Sequence, residues 1–228
     1  MPTNDGHRQR VKNRFLSEGL DHFDEEHVLE LLLFYCIPRK DTKPLAKTLI
    51  AQFGSLAQVL EASPEALQKV PEVGVNVATF LSLITEVGRY YLVNRCDVGK
   101  ILDTTEKYGK YLLPHFFGRR NETVFLLCMD AKCKVLCCRE LGGGSVNSTS
   151  ISVRQVVEVA LGVSASMVVL AHNHPSGIAV PSGQDVLTTQ RVAAALAAVE
   201  VALVDHIVVA DEEFVSMVQS GLYTPGDV

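Results

Sequence analysis

The chain has 228 residues, of which 47% are hydrophobic and 21% charged, the balance of an ordinary globular protein with one large or two small domains. Its formal net charge is −5: residues 1–100 hold 12 Lys and Arg against 13 Asp and Glu, and the rest hold 9 against 13, so neither part has the basic excess on which phosphate neutralisation is built. No apolar run reaches the roughly 18 residues of a membrane span, and Met1 to Arg8 lacks the apolar stretch of a secretory signal, so a cytoplasmic protein with reduced thiols is expected.

Helical periodicity dominates the first part of the chain, with amphipathic segments predicted over 26–34, 42–52, 56–62 and 75–91 and few strand signals. The polar stretch 94–99 marks a linker and gives expected domains at 1–95 and 104–228. Beyond it, valine-rich strands alternate with helices. The run 124–139 reads as a hairpin around Met129, Asp130, Ala131 and Lys132, and it carries four of the six cysteines, Cys128, Cys133, Cys137 and Cys138. None shows the Cys-x2-Cys spacing of a zinc knuckle, so small buried thiols are expected rather than a second metal site. A helical pattern at 156–160 is followed by a short apolar run at 167–171, an alanine-rich helix over 184–200 and a second apolar strand at 206–209. That order suits an α/β core with helices packed on a mixed sheet.

The chemistry concentrates after the first of those inner strands. His172 and His174 are two residues apart, so on a strand they share a face. Pro175-Ser176-Gly177 turns the chain, Pro181-Ser182-Gly183 turns it again, and Asp185 falls in the first turn of the next helix. Two imidazoles and a carboxylate, with a water in the fourth place, make the usual protein contribution to a catalytic zinc site, whereas structural sites are closed by four protein ligands. Ser182 and Asp185 also read as a capping box, the serine capping the helix and the acid bonding back to the cap's amide. Both readings stand on sequence grounds. The tripeptide His172-Asn173-His174 is not an HNH nuclease signature, in which the three letters are far apart.

His172-x-His174-x7-Ser182-x2-Asp185 matches the core of the JAMM (MPN-type) metalloprotease motif. The longer string from His172 to Gly177, before Pro181-Ser182, resembles the DNA repair protein RadC family (UPF0758 type). The likeness covers nearly the whole chain, including Leu29-Glu30-Leu31-Leu32, Phe53-Gly54-Ser55-Leu56 and Asp205-His206-Ile207-Val208-Val209. It implies a helical N-terminal domain followed by a three-layer, cytidine-deaminase-like α/β domain. It also implies Zn2+ held by His172, His174 and Asp185, Ser182 as oxyanion stabiliser, and a glutamate from an earlier strand as general acid/base. Glu122, just before the apolar strand at 124–127, is the first choice. Glu140 is the rival, and Glu158, in a segment of helical pattern, is the weakest.

Val70-Pro71-Glu72-Val73-Gly74-Val75-Asn76-Val77-Ala78 resembles a helix-hairpin-helix signature, whose glycine-rich turn brings backbone amides to DNA phosphates. Asn76 stands where that motif has its second glycine, and an asparagine in left-handed geometry preserves the turn. The basic run from Arg8 to Arg14 reads either as a DNA contact or as the start of a solvated helix. Three functions are compatible with these features: a zinc-dependent hydrolase of peptide, isopeptide or other amide bonds; a DNA-associated repair accessory using the N-terminal domain; and a metal-stabilised scaffold without catalysis. The intact ligand set and an available glutamate rank the hydrolase first.

Overall fold

The computed structural model describes residues 5–94, 99–141 and 151–226. They fall into two compact units, Met1–Gly88 and Arg89–Val228. The Gly142-Gly143-Gly144 run and most of the expected linker, including Cys96, lie outside the described residues.

The first unit is all helical: α1 (Asp5–Glu18), α2 (Glu25–Leu33), α3 (Lys43–Phe53), α4 (Leu56–Glu61), α5 (Pro64–Leu67) and the start of α6 (Val75–Asn94). Side-chain oxygens of Asp24, Ser55 and Ser63 accept from the backbone amides of His27, Gln58 and Ala66, satisfying first-turn donors of three helices. Leu29, Leu33, Leu49, Leu67 and Leu81 meet in one apolar core. Part of the basic run at the N-terminus is engaged within this unit. Arg8 donates to the carbonyls of Phe34, Ile37 and Lys40 beyond the end of α2, and Arg14 donates to the His22 carbonyl. Arg8, Lys12 and Arg14 also lie over the rings of Phe34, Tyr35 and Phe23.

The hairpin between α5 and α6 differs from the sequence expectation. Asn76 is not in left-handed geometry; it sits in the first turn of α6, and the positive φ (72°) falls on Glu72. The reversal is complete before Gly74 because Val70 and Val73 are both drawn into the core, with the Val73 amide bonded to the Val70 carbonyl at 3.1 Å.

The second unit contains α7 (Thr105–Phe116), β1 (Val124–Met129), β2 (Val135–Leu141), α8 (Val153–Gly162), β3 (Met167–Asn173), α9 (Gly183–Ala197), β4 (Ala202–Ala210) and β5 (Glu213–Ser216). The five strands form one mixed sheet in the order β2-β1-β3-β4-β5, in which only β3 and β4 run parallel. Alternation along the strands divides the interior into two cores. Leu126, Cys128, Val168, Leu170 and Leu203 pack with Val156 of α8 and with Val192 and Leu196 of α9. Phe125, Leu127, Val169, Ala171, Ile207 and Val209 pack with Tyr108, Leu112 and Phe116 of α7. Helix, sheet and helix thus make the expected three layers. Each cysteine that is described is a free thiol; Cys128 is buried, Cys137 and Cys138 are half-buried, and Cys133 lies in the turn of the hairpin. No helix among the described residues is long and apolar enough to cross a membrane.

An irregularity in β4 decides which face its second half presents. Val168 pairs with Leu203 but Val169 pairs with Asp205, so β4 carries one extra residue, Val204, at a bulge. A bulge reverses the alternation beyond it. His206 therefore shares the α9 face with Leu203, although the two are three positions apart.

Gly109 in α7 is under the ring of Phe214 from β5, and a Cβ added there would penetrate that ring. Alanine ordinarily favours a helix interior over glycine by about 1 kcal/mol. Here the overlap is expected to dominate, so Gly109→Ala should destabilise the fold by roughly 1–3 kcal/mol, and Phe214→Ala in the same chain should remove most of that penalty. Urea denaturation of the two single variants and the double variant checks both statements.

Candidate metal centre

The site forms at the carboxyl end of β3, where an open α/β sheet places its ligands. His172 is the penultimate residue of β3, and its ring is only 2% exposed. The His174 amide is tied to the Val209 carbonyl of β4 at 2.8 Å, and the following turn closes through Gly177, whose amide meets the His174 carbonyl at 3.1 Å and whose φ is 79°. The chain then enters α9 with Ser182 as its cap.

The capping box and the convergence of the acid on the histidines are both present, and the first produces the second. The Ser182 amide and hydroxyl donate to Asp185 Oδ2 at 2.7 and 2.6 Å, and the Asp185 amide donates to the Ser182 hydroxyl at 3.2 Å. Gripped in this way, the carboxylate presents Oδ1 to His172 Nε2 at 3.3 Å, and Oδ2 lies 3.6 Å from His174 Nε2. The two Nε2 atoms are 3.0 Å apart. The Ser182 hydroxyl has one proton and directs it at Asp185, so the expected oxyanion role requires that hydroxyl to turn.

Hydrogen-bond accounting makes this cluster chemically specific. His174 Nδ1 lies 3.0 Å from the Ile178 carbonyl, which can only accept, so the proton of a neutral His174 ring is on Nδ1 and its Nε2 is a bare lone pair. His172 uses its Nδ1 toward His206 at 2.8 Å, leaving Nε2 for the site. Lone pairs and a carboxylate brought together call for a cation or for protons. Four ligands about 2.0–2.1 Å from a tetrahedral zinc ion are separated from one another by roughly 3.3 Å. The two Nε2 atoms at 3.0 Å, and the nearest approaches of Asp185 to each, Oδ1 at 3.3 Å from His172 and Oδ2 at 3.6 Å from His174, lie near that edge, and two imidazoles with a carboxylate are a donor set that suits the group.

Glu122 arrives from the neighbouring strand. Val124 of β1 is opposite His172, and continuing that antiparallel register puts Thr123 beside Asn173 and Glu122 beside His174. The carboxylate of Glu122 and nitrogens of both histidines lie within 4.8 Å of one another. Asn173, the residue between the histidines, holds this approach: its side-chain oxygen accepts from the Thr123 amide at 2.7 Å and its nitrogen donates to the Asn121 carbonyl at 3.3 Å, bracketing Glu122. Glu140 is placed elsewhere. It is paired with Phe125, whose side chain faces α7, and it binds Arg119 at 2.6 Å. Glu158 forms an exposed pair with Arg154 on α8.

The surroundings set the charge states. Desolvation raises the Glu122 pKa, with His174 opposing and Asp185 reinforcing. For Asp185, desolvation works upward, but the Ser182 hydroxyl and amide outweigh it and hold the carboxyl below its ordinary value. Burial lowers His172 to about 4 against the pull of Asp185. Sequence reasoning assigned no role to Asn173, Thr189 or His206. A signal for the last two existed: His206 and Asp205 are polar in an otherwise apolar inner strand, and Thr189 lies four residues after Asp185, on the same helix face.

A RadC-like JAB domain matches residues 102–222. The chain belongs to the RadC family. UPF0758 proteins resemble it along nearly their whole length: one from Fusobacterium nucleatum is 33% identical over 226 residues, 96% of this chain and 97% of the relative. One from Polaromonas sp. is 34% identical across 93% and 95% of the two chains, and one from Nitrosococcus oceani 33% across 94% and 96%. The RadC-like domain thus carries a fold of metallohydrolase type and a possible metal site built from His172, His174 and Glu122, with Asp185 facing both histidines.

The buried, neutral His172 makes metal-free protein acid-sensitive. An unfolded histidine takes up a proton near pH 6.5, whereas the folded His172 resists until about 4. Stability is therefore complete above about pH 6.5 and is lost as the pH falls toward 4, by about 3 kcal/mol from this residue. Urea denaturation of metal-free protein at pH 7.5, 5.5 and 4.5 should show the decline, and His172→Gln should lessen it, leaving the part due to His206, which burial also holds well below its ordinary pKa.

Proposed function

We propose that the protein is a zinc-dependent metallohydrolase that cleaves amide bonds of the peptide or isopeptide type. The observation that carries this reading is the convergence of His172 Nε2, His174 Nε2 and Asp185 at 3.0–3.6 Å, with the Glu122 carboxylate beside them. His172, His174 and Asp185 would hold the ion, for which burial already keeps His172 neutral and the Ser182 bonds already keep the carboxylate ionised. Bound zinc supplies a Lewis acid that acidifies water and polarises a carbonyl.

The remaining work falls to side chains of this chain. Glu122, its pKa raised by desolvation, accepts the proton of the attacking water and passes it to the departing amine; transfers of this kind contribute on the order of 100- to 10,000-fold. Asn173 keeps the glutamate at the mouth of the site through the peptide groups on either side of it. Ser182, once its hydroxyl turns from Asp185, has a donor for the oxygen on which charge develops.

Elemental analysis of purified protein should find about one zinc per chain, and alanine at both His172 and His174 should abolish it. Glu122→Gln should keep the metal and the fold while eliminating turnover of any amide substrate found by screening metal-loaded protein against a peptide and isopeptide library. Retention of zinc by the double-histidine variant would sink the site, and full turnover by Glu122→Gln would sink the proton-transfer role.

A further inference from the structure

We propose that Thr189 and His206 form a proton-ordered relay that fixes His172 in one tautomer, with its proton on Nδ1 and its Nε2 lone pair facing His174 and Asp185. Both are positioning residues acting through His172.

The order of the protons follows from counting them. Thr189 Oγ1 lies 2.6 Å from the Asp185 carbonyl, four residues back along α9, and 2.6 Å from His206 Nδ1. A hydroxyl has one proton, and a carbonyl can only accept, so the proton points at Asp185. Were it turned to His206, two oxygens would face each other at 2.6 Å with nothing between them. Toward His206 the hydroxyl is therefore an acceptor, and His206 Nδ1 carries hydrogen. His206 is wholly buried and its ring nitrogens meet two neutral groups, Thr189 and His172, so it holds a single ring proton. Its Nε2 is bare and accepts from His172 Nδ1 at 2.8 Å. His172 Nε2 is then bare in turn.

The relay closes on itself. It starts at the backbone of Asp185, passes through α9, β4 and β3, and ends at a nitrogen 3.3 Å from the carboxylate of the same aspartate. Two features of the fold make it. The i,i+4 spacing puts Thr189 one turn below Asp185, and the bulge at Val204 rotates His206 onto the α9 face; under unbroken alternation from Leu203, His206 would point toward α7. Partners that orient the outer nitrogen of a ligating histidine ordinarily matter about 10- to 100-fold to metal affinity.

The consequence for affinity rests on the metal-site reading, but the proton order does not. The test uses the full chain, labelled with 15N at histidine and metal-free at neutral pH. Long-range proton-nitrogen correlation should show both His172 and His206 protonated at Nδ1 and bare at Nε2. Thr189→Val, nearly isosteric, removes the acceptor that anchors the order; His172 should then populate both tautomers, and zinc affinity measured by chelator competition should fall about 10- to 100-fold. Thr189→Ser should restore both. A proton on His172 Nε2 in the unmodified chain overturns the relay without recourse to any variant, as does a Thr189→Val protein with unchanged tautomer and unchanged affinity. If the unmodified chain takes up no zinc but shows the expected ring protons, the relay holds and the metal reading falls.

Discussion

Acceptors do not gather of their own accord. Two imidazole lone pairs and a carboxylate within 3.0–3.6 Å repel or at best ignore one another, so their convergence has to be imposed by the surrounding fold. In this protein it is imposed from three sides: β3 supplies His172 and, just past its end, His174, the start of α9 supplies the aspartate, and the stretch before β1 brings the glutamate. β3 is the central strand, paired on both edges and buried along almost its whole length, so it resists deformation. The cost of crowding like polar atoms is thus offset by apolar burial in the same strand.

The same economy appears in the capping box. A helix start needs an acceptor for its first amides, and Ser182 with Asp185 meets that need with ordinary local chemistry. Because the bond to Ser182 engages one carboxylate oxygen, the other is left directed at His172. Local helix stability and the geometry of the cluster are therefore one interaction: Asp185 closes the cap and faces the histidines at once.

The chemistry-bearing residues are also sorted by sheet face. Glu122, His172, His174 and His206 lie on the α9 side, while Glu140 follows Phe125 to the α7 side. A shift of one residue in register would exchange these sets. Register is held by the alternation of large apolar residues in the two cores, so packing well away from the site decides which glutamate reaches the histidines.

The amino-acid sequence alone determined the helical first part, the strand, helix and strand around the motif, and the identity of the residues that converge, because hydrophobic period and the His-x-His and Ser-x-x-Asp spacings are local properties. It left Glu122 and Glu140 unresolved, since both sit beside apolar strands and only pairing with β3 distinguishes them. It was silent on Asn173 as a clamp and on Thr189 and His206 as a relay. It also misplaced the left-handed residue of the α5–α6 turn, which core packing of Val70 and Val73 moved from Asn76 to Glu72. Those outcomes depend on strand register, on one extra residue in β4 and on contacts between residues far apart in the chain. They belong to the tertiary structure, because a side chain's face and partner are fixed only when neighbouring elements pack against it.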